Sequence, residues 1–293
     1  MLVNMKEMLG DAEKHNYAVG SLNTPNLETL RAVIGAAEEL DCPIIINHAQ
    51  GHENVVHLET IAPLMKLYAE NAKVPVAMHI DHGLDLNFCM SAVRAGFTSI
   101  MCDRSAYPLQ DNIALTKAFV ELVRPLGITV EAELGAMPNN MPCEVPGQEQ
   151  SDLSDLTKYF TKVEEAKLFA EETGVDVLAV SIGTIHGMYQ EKSNLDIPRI
   201  KDIKAAIAGT GTHLGMHGCS GTEPNQVAAA IDAGIRKINY FTAMDTGITP
   251  VLKQMIEDYE GRPLNYSLLV NVAMEELKKG AREALELFMS HKE

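Results

Sequence analysis

The chain has 293 residues and is 46% hydrophobic, enough to bury a large core in one unit of barrel size. Asp and Glu number 40 against 24 Lys and Arg, a net charge of -16, which repels phosphate backbones and anionic lipid heads and argues against nucleic acid and membrane surfaces as partners. No apolar run approaches the roughly 20 residues that span a bilayer, and the opening MLVNMKEMLGDAEKHN carries acidic residues where a signal peptide has a basic end and an apolar middle, so a cytoplasmic protein is expected.

In chain order, eight short, β-rich apolar runs recur: YAVGSLN from Tyr17, PIIINHA from Pro43, VPVAMHID from Val74, SIMCD from Ser99, ITVEAEL from Ile128, VDVLAVSIG from Val175, HLGMHG from His213 and KINYFT from Lys237. Between them lie segments of helical periodicity, such as LETLRAVIGAAEEL, NFCMSAVRAGF, NIALTKAFVELVRPLG, KVEEAKLFAEETG and NQVAAAIDAG. Strands that are apolar almost throughout need cover on both faces. The alternation therefore predicts an α/β fold, a parallel (β/α)8 TIM barrel. The stretch from Leu264 to His291 predicts an extra C-terminal helix, a candidate interface arm. No linker rich in Gly, Pro or Ser divides the chain, so residues 1–293 are expected to form one barrel domain. The one long irregular stretch runs from Gly135 to Asp152, after the fifth strand. The five cysteines, Cys42, Cys89, Cys102, Cys143 and Cys219, are scattered without a CxxC pair and are expected to be reduced.

Barrel chemistry gathers where the strands end, because the loops that follow them converge on one face. The third run ends in Asp81-His82, the sixth leads into Gly183-Thr184-Ile185-His186-Gly187, and the seventh ends in His217-Gly218. Three imidazoles on equivalent ends would meet at one rim. Three neutral imidazoles with an open fourth position make a catalytic zinc site. The other histidines are set aside: His15, His57 and His291 read as surface, His213 opens a strand, and His48 and His52 are spaced by four but across Gln50-Gly51, unlike a helix. His217-Gly218-Cys219-Ser220-Gly221 and Lys237-Ile238-Asn239-Tyr240-Phe241-Thr242 place small residues and hydroxyls after strands seven and eight, where barrels commonly hold a phosphate.

Taken in order, NLETLRAVIGAAEELDCPIII, HIDHG, VEAELG, GTIHGMY, HGCSG and KIN resemble the class II, metal-dependent ketose-bisphosphate aldolases, which include fructose-bisphosphate and tagatose-bisphosphate aldolases. The resemblance implies that His82, His186 and His217 bind one Zn²⁺ per subunit and that Glu133 lies near the metal. It implies that Asp81 moves the proton on the hydroxyl of the aldehyde-derived carbon. Gly187, Gly218, Ser220, Asn239 and Thr242 fall on positions that hold dihydroxyacetone phosphate and, in some members, a monovalent cation (Na⁺ or K⁺). The implied partner is a small sugar phosphate and the implied assembly a homodimer or homotetramer. Retro-aldol cleavage leaves an enediolate, which a Lewis acid stabilises without a Schiff-base lysine, and Asp81 would supply general acid/base catalysis.

The chain departs from the family pattern in several places. The family carries a mobile loop with paired glycines and paired acids after the VEAELG strand, whose glutamate exchanges the proton at the nucleophilic carbon. Here the loop reads AMPNNMPCEVPGQEQ, with Glu144 as the stand-in and Glu149 behind it. Ala49 occupies the place of a serine that contacts the distal phosphate in bisphosphate-specific members, and a methyl group cannot donate to a phosphate. Phe241, Ala243 and Gln190 also differ from the pattern, and together these point to an aldehyde pocket for an unphosphorylated or differently charged acceptor. Two other functions stay open on the sequence. One is a metal-dependent sugar-phosphate epimerase or isomerase, and the other a non-catalytic aldolase-like partner subunit.

Overall fold

Eight parallel strands pair in sequence order and close into a barrel, β8 returning to β1. They are β1 (Val19–Asn23), β2 (Ile44–Ala49), β3 (Val76–Gly83), β4 (Ser99–Cys102), β5 (Thr129–Leu134), β6 (Val177–Val180), β7 (His213–Met216) and β8 (Ile235–Tyr240). The computed structural model describes residues 1–138, 152–187 and 194–290. All eight predicted strand runs contribute a strand. The difference lies at the end of the last one: β8 stops at Tyr240, and Thr242 already opens a helix.

Ten α-helices surround the barrel among the described residues: α1 (Met5–Lys14), α2 (Leu27–Glu39), α3 (Leu58–Asn71), α4 (Leu86–Ala95), α5 (Leu109–Val123), α6 (Val163–Thr173), α7 (Ile197–Ala206), α8 (Pro224–Ala233), α9 (Thr242–Asp258) and α10 (Tyr266–Met289). Caps set several of their starts. Asn26 accepts from the Thr29 N–H at 2.8 Å and Asp85 from the Phe88 N–H at 2.9 Å, each satisfying a donor that the first helical turn leaves unpaired. Alternation along each strand divides the core in two. Val76, Met78 and Ile80 of β3 face outward into the layer between strands and helices, whereas Ala77 joins Val19, Ile45 and Val177 inside the barrel.

The opening residues, read above only for the absence of a targeting signal, form α1 and stopper the N-terminal end of the barrel. Met5, Met8, Leu9 and Ala12 recur at helical spacing and pack on that inner apolar layer. Asn4 caps the helix by accepting from the Lys6 N–H at 2.8 Å. At the other end of the chain, α10 buries Leu277, Ala281, Ala284, Leu285 and Phe288 and packs against this chain's own α2 and β1. Cys42, Cys89, Cys102 and Cys219 are free and buried, and Cys143 lies outside the described residues. No helix among the described residues is long and apolar enough to cross a membrane.

Candidate active site

Successive residues of a strand point to opposite faces, so Asp81 and His82 could not both look into the barrel from a regular β3. The backbone resolves this at His82, whose φ of 49° lies in the left-handed region, a conformation that costs a non-glycine residue about 1–3 kcal/mol and recurs at functional sites. The register between β3 and β4 shifts at the same place. Both side chains thereby reach one cavity.

His186, after β6, and His217, after β7, meet His82 there. Ring centroids are 5.1 Å apart for His82 with His186 and for His82 with His217, and 6.3 Å for His186 with His217. One nitrogen from each ring lies within 4.8 Å of the others, and His82 Nε2 faces His217 Nδ1 at 3.2 Å. Carboxylates grip two of the rings from behind. Asp103 Oδ2 lies 2.7 Å from His82 Nδ1, and Glu131 Oε1 lies 3.0 Å from His217 Nε2. A carboxylate accepts only from a protonated ring nitrogen, so these contacts put protons on His82 Nδ1 and His217 Nε2 and leave His82 Nε2 and His217 Nδ1, turned toward each other, as the nitrogens a cation would take, displacing any second proton on His82.

The donor set fits a divalent cation. Besides the imidazoles, Glu133 Oε2 is buried without a protein hydrogen-bond partner, 4.0 Å from His217 Nδ1. A buried carboxylate oxygen left unpaired is costly, and a cation beside it removes the cost. Burial and then the neighbouring Asp103 push the Glu133 carboxyl up to about 8. Burial and then the charge on His82 push the His186 imidazole down to about 3. Burial would lower His82 as well, but Asp81 and Asp103 outweigh it and carry that ring up to about 10. For Asp81 burial favours the neutral acid, yet His82, His217 and Lys237 hold its carboxyl well below the usual carboxylate range. Asn239 Nδ2 donates to Asp81 Oδ1 at 2.9 Å and orients it.

Beneath the imidazoles runs an ionic chain. Glu131 and Lys237 are fully buried and pair at 2.8 Å, with His79 Nε2 2.9 Å from the same Glu131 oxygen. Lys237 Nζ also donates to Asn239 Oδ1. Lys237 thus joins the carboxylate that holds His217 to the amide that holds Asp81. Gly215 of β7 leaves the room: a Cβ there would sit 3.1 Å from Glu131 Oε1.

The cavity above has two unlike walls. One includes Gly187, Gly218, Ser220 and the start of α9, where Phe241 supplies no side-chain cap and the Ala243 N–H donates to Ser220 Oγ at 3.1 Å. Position 218 admits no side chain, since a Cβ would stand 2.3 Å from the Ile185 carbonyl oxygen and φ is +66°. The positive end of a helix dipole favours an anion. The other wall includes Asn23, Ala49, His52, Leu84 and Phe241.

A family model described as "Fructose-bisphosphate aldolase class-II" matches residues 3–293. The chain is 35% identical over 286 residues to a fructose-bisphosphate aldolase of Staphylococcus aureus, covering 95% of each protein. It is 34% identical over 258 residues to the fructose-bisphosphate aldolase of Geobacillus stearothermophilus, covering 87% of this chain and 86% of that one. The crystal structure of the YdjI aldolase from Escherichia coli K12 superposes with a TM-score of 0.82 at 32% identity, covering 98% and 97% of the two chains. The chain belongs to the class II fructose-bisphosphate aldolase family.

Within this aldolase, Asp81, His82, His186, Gly187, Gly218, Ser220, Asn239 and Thr242 line one cavity, and Glu133 sits beside the imidazoles. Glu144, with Glu149 and Gln190, lies outside the described residues. Four further residues stand at or beneath the cavity: Asp103, Glu131, Lys237 and His52. Asp103, Glu131 and Lys237 carried a signal, since each is a charge set in or just after an apolar strand, Glu131 and Lys237 two positions before Glu133 and Asn239 on the same face. His52 was set aside for its spacing, but Gln50–Asn54 forms a short 3-10 turn that delivers it to the cavity of the aldolase.

Proposed function

We propose that this class II aldolase works as one barrel domain that holds a zinc ion on His82, His186 and His217, with Glu133 beside them, and cleaves a ketose 1-phosphate or ketose bisphosphate reversibly into dihydroxyacetone phosphate and an aldehyde. The observation that carries the reading is the convergence of three imidazole nitrogens, two of them fixed from behind by Asp103 and Glu131. A divalent ion at such a site supplies Lewis-acid stabilisation of negative charge on substrate oxygens, worth several kcal/mol.

Asp81 is the base. Its carboxyl stays ionised beside His82 and His217, and Asn239 aims it through the 2.9 Å hydrogen bond. It takes the proton from the hydroxyl on the carbon that becomes the aldehyde. As that oxygen forms its carbonyl, the carbon–carbon bond breaks and its electron pair stays on the dihydroxyacetone phosphate half, which then takes a proton at carbon. We assign that proton to Glu144 on its sequence position alone. Gly187, Gly218, Ser220 and Thr242, with the start of α9, hold the phosphate, and a monovalent cation, Na⁺ or K⁺, belongs beside the same wall. Buried reduced thiols suit a cytoplasmic setting. Assembly as a homodimer or homotetramer suits Ile256, Tyr266 and Leu268, large apolar side chains exposed on α9 and α10. Sedimentation at low concentration tests the assembly.

The reading is tested by metal content and by cleavage assayed with aldehyde trapping, with and without chelator. Chelation is expected to abolish aldehyde release and zinc to restore it. Asp81→Ala is expected to lower kcat by about 10²- to 10⁴-fold while metal content is kept. Full turnover by metal-free protein, or interconversion of sugar phosphates without a released aldehyde, would overturn it.

A further inference from the structure

Lys237 is fully buried inside the barrel, beneath the cavity rather than on its wall. Two positions later on β8 stands Asn239, whose side chain faces the same way. An ammonium offers only donors and no acceptor. That of Lys237 lies 2.8 Å from Glu131 Oε2 and 3.1 Å from Oε1, and it also donates to Asn239 Oδ1. A carboxamide accepts at one end and donates at the other, and both neighbours of Asn239 demand the same orientation. Its oxygen meets the ammonium, and its Nδ2 donates to Asp81 Oδ1 at 2.9 Å. Turned over, the amide would set N–H groups against the ammonium and an oxygen against a carboxylate. The oxygen of Asp81 held in this way also lies 3.9 Å from His82 Nε2, which leaves Oδ2 to meet a substrate hydroxyl.

We propose that Lys237 is a positioning residue for proton transfer by Asp81, acting through Asn239, a proposal that rests on the aldolase reading above. Charge balance does not require the second contact. Glu131 already compensates the ammonium, and a buried ion pair contributes little net stability over apolar side chains of similar volume. The hydrogen bond to the neutral amide anchors Asn239 at the end away from Asp81. With both ends of the amide fixed, the Asp81 carboxylate is oriented before substrate arrives, and no ordering is left for the moment of proton transfer. Without the ammonium the amide keeps one anchor, and Asn239 and Asp81 turn more freely. The loss falls on one step, in which the hydroxyl proton passes to Asp81 as that oxygen becomes a carbonyl and the carbon–carbon bond breaks. Exchange of the proton at carbon on the dihydroxyacetone phosphate half does not pass through Asp81.

The test follows two reactions of the full chain in excess zinc, with the metal content of each variant verified. One is exchange of the hydroxymethyl C–H of dihydroxyacetone phosphate with solvent deuterium, with no aldehyde present. The other is aldehyde release from whichever of the 1-phosphates and 1,6-bisphosphates of fructose and tagatose the unsubstituted protein cleaves fastest. Lys237→Met is expected to lower kcat for cleavage by about 10- to 100-fold, while KM and the exchange rate stay near those of the unsubstituted protein. Because that variant strands a buried charge, the double variant Glu131→Gln with Lys237→Met is measured beside it. It is expected to show the same split, and it decides the matter if the single variant does not fold. In an Asn239→Ala background, adding Lys237→Met is expected to lower cleavage no further. Exchange and cleavage falling together, cleavage left unchanged, or a full further loss on Asn239→Ala overturns the proposal and leaves the aldolase reading standing. Failure of the unsubstituted protein in either reaction overturns the aldolase reading, and the proposal with it.

Discussion

The two ends of this barrel are made from the same eight strands but solve opposite problems. At the N-terminal end, α1 lays Met5, Met8 and Leu9 on Val19, Ile45, Ala77 and Val177, and little inside the cluster needs a partner. At the C-terminal end, β3, β5 and β8 carry His79, Asp81, Glu131, Glu133, Lys237 and Asn239, and contacts run in a chain from His79 through Glu131, Lys237 and Asn239 to Asp81. One end gains stability from burying apolar surface. The other keeps charges in a low-dielectric space where each must be matched, and keeps a carboxylate oxygen of Glu133 unmatched. The difference separates where the barrel is held together from where it can react.

The strongest way to break that contrast is Lys237→Met. The substitution removes the ammonium from a carboxylate that is fully buried and faces two histidines. Loss of one partner from a buried pair costs about 3–5 kcal/mol, so the midpoint of urea unfolding is expected to fall sharply. Because Glu131 also fixes the tautomer of His217, zinc affinity measured by chelator competition should fall by about 10- to 100-fold. The double variant Glu131→Gln with Lys237→Met removes the stranded charge and is expected to recover much of the stability but not the zinc affinity. Recovery of both would mean the ionic chain serves only packing.

What could be read from the chain follows the same division. The strands announce themselves because both faces are covered and each run is apolar. The three histidines stand out because imidazoles at strand ends have few structural uses in that pattern. Glu131 and Lys237 sit 106 positions apart, and nothing in either strand says that the two face each other across the barrel. Their pairing exists only once β5 and β8 are closed into one sheet. Asp103 escaped notice for a related reason: a single acid after SIMC looks like a loop residue until β3 brings His82 alongside it. His52 is hard to place from the chain alone because a 3-10 turn, unlike an α-helix, leaves no long periodicity to read. At the other end, α1 was legible in principle, with apolar residues at 5, 8, 9 and 12, but ten residues give too short a pattern to say which surface it covers.

A smaller effect probes the stopper itself. Leu9 is fully buried among Met5, Tyr17 and the inner layer, so Leu9→Ala is expected to cost about 2–5 kcal/mol through lost transfer energy and a residual cavity. Zinc affinity and kcat should hold at temperatures well below the unfolding transition, because no α1 side chain reaches the cavity. A large loss of zinc affinity in folded Leu9→Ala would show that the two ends are coupled and that the contrast drawn here is too clean.

The smallest effect concerns a charge cluster at the N-terminal end. Glu13 of α1 lies 2.7 Å from Lys204 Nζ, 3.4 Å from Arg236 Nε and 3.5 Å from His213 Nδ1. Burial opposes ionisation there, but the facing His213, Lys204 and Arg236 outweigh it and bring the carboxyl down to about 2 from the ordinary 4.5. A carboxyl lowered on folding adds stability that is present above its unfolded value and is lost as pH falls through its folded value. The difference in unfolding temperature between the unsubstituted protein and Glu13→Gln should therefore be full above about pH 4.5 and shrink toward zero as pH falls to about 2. Because the Glu13 side chain is 34% exposed, salt should reduce that difference. A difference that ignores both pH and salt would assign Glu13 a packing role, and the contrast between the two ends would sharpen.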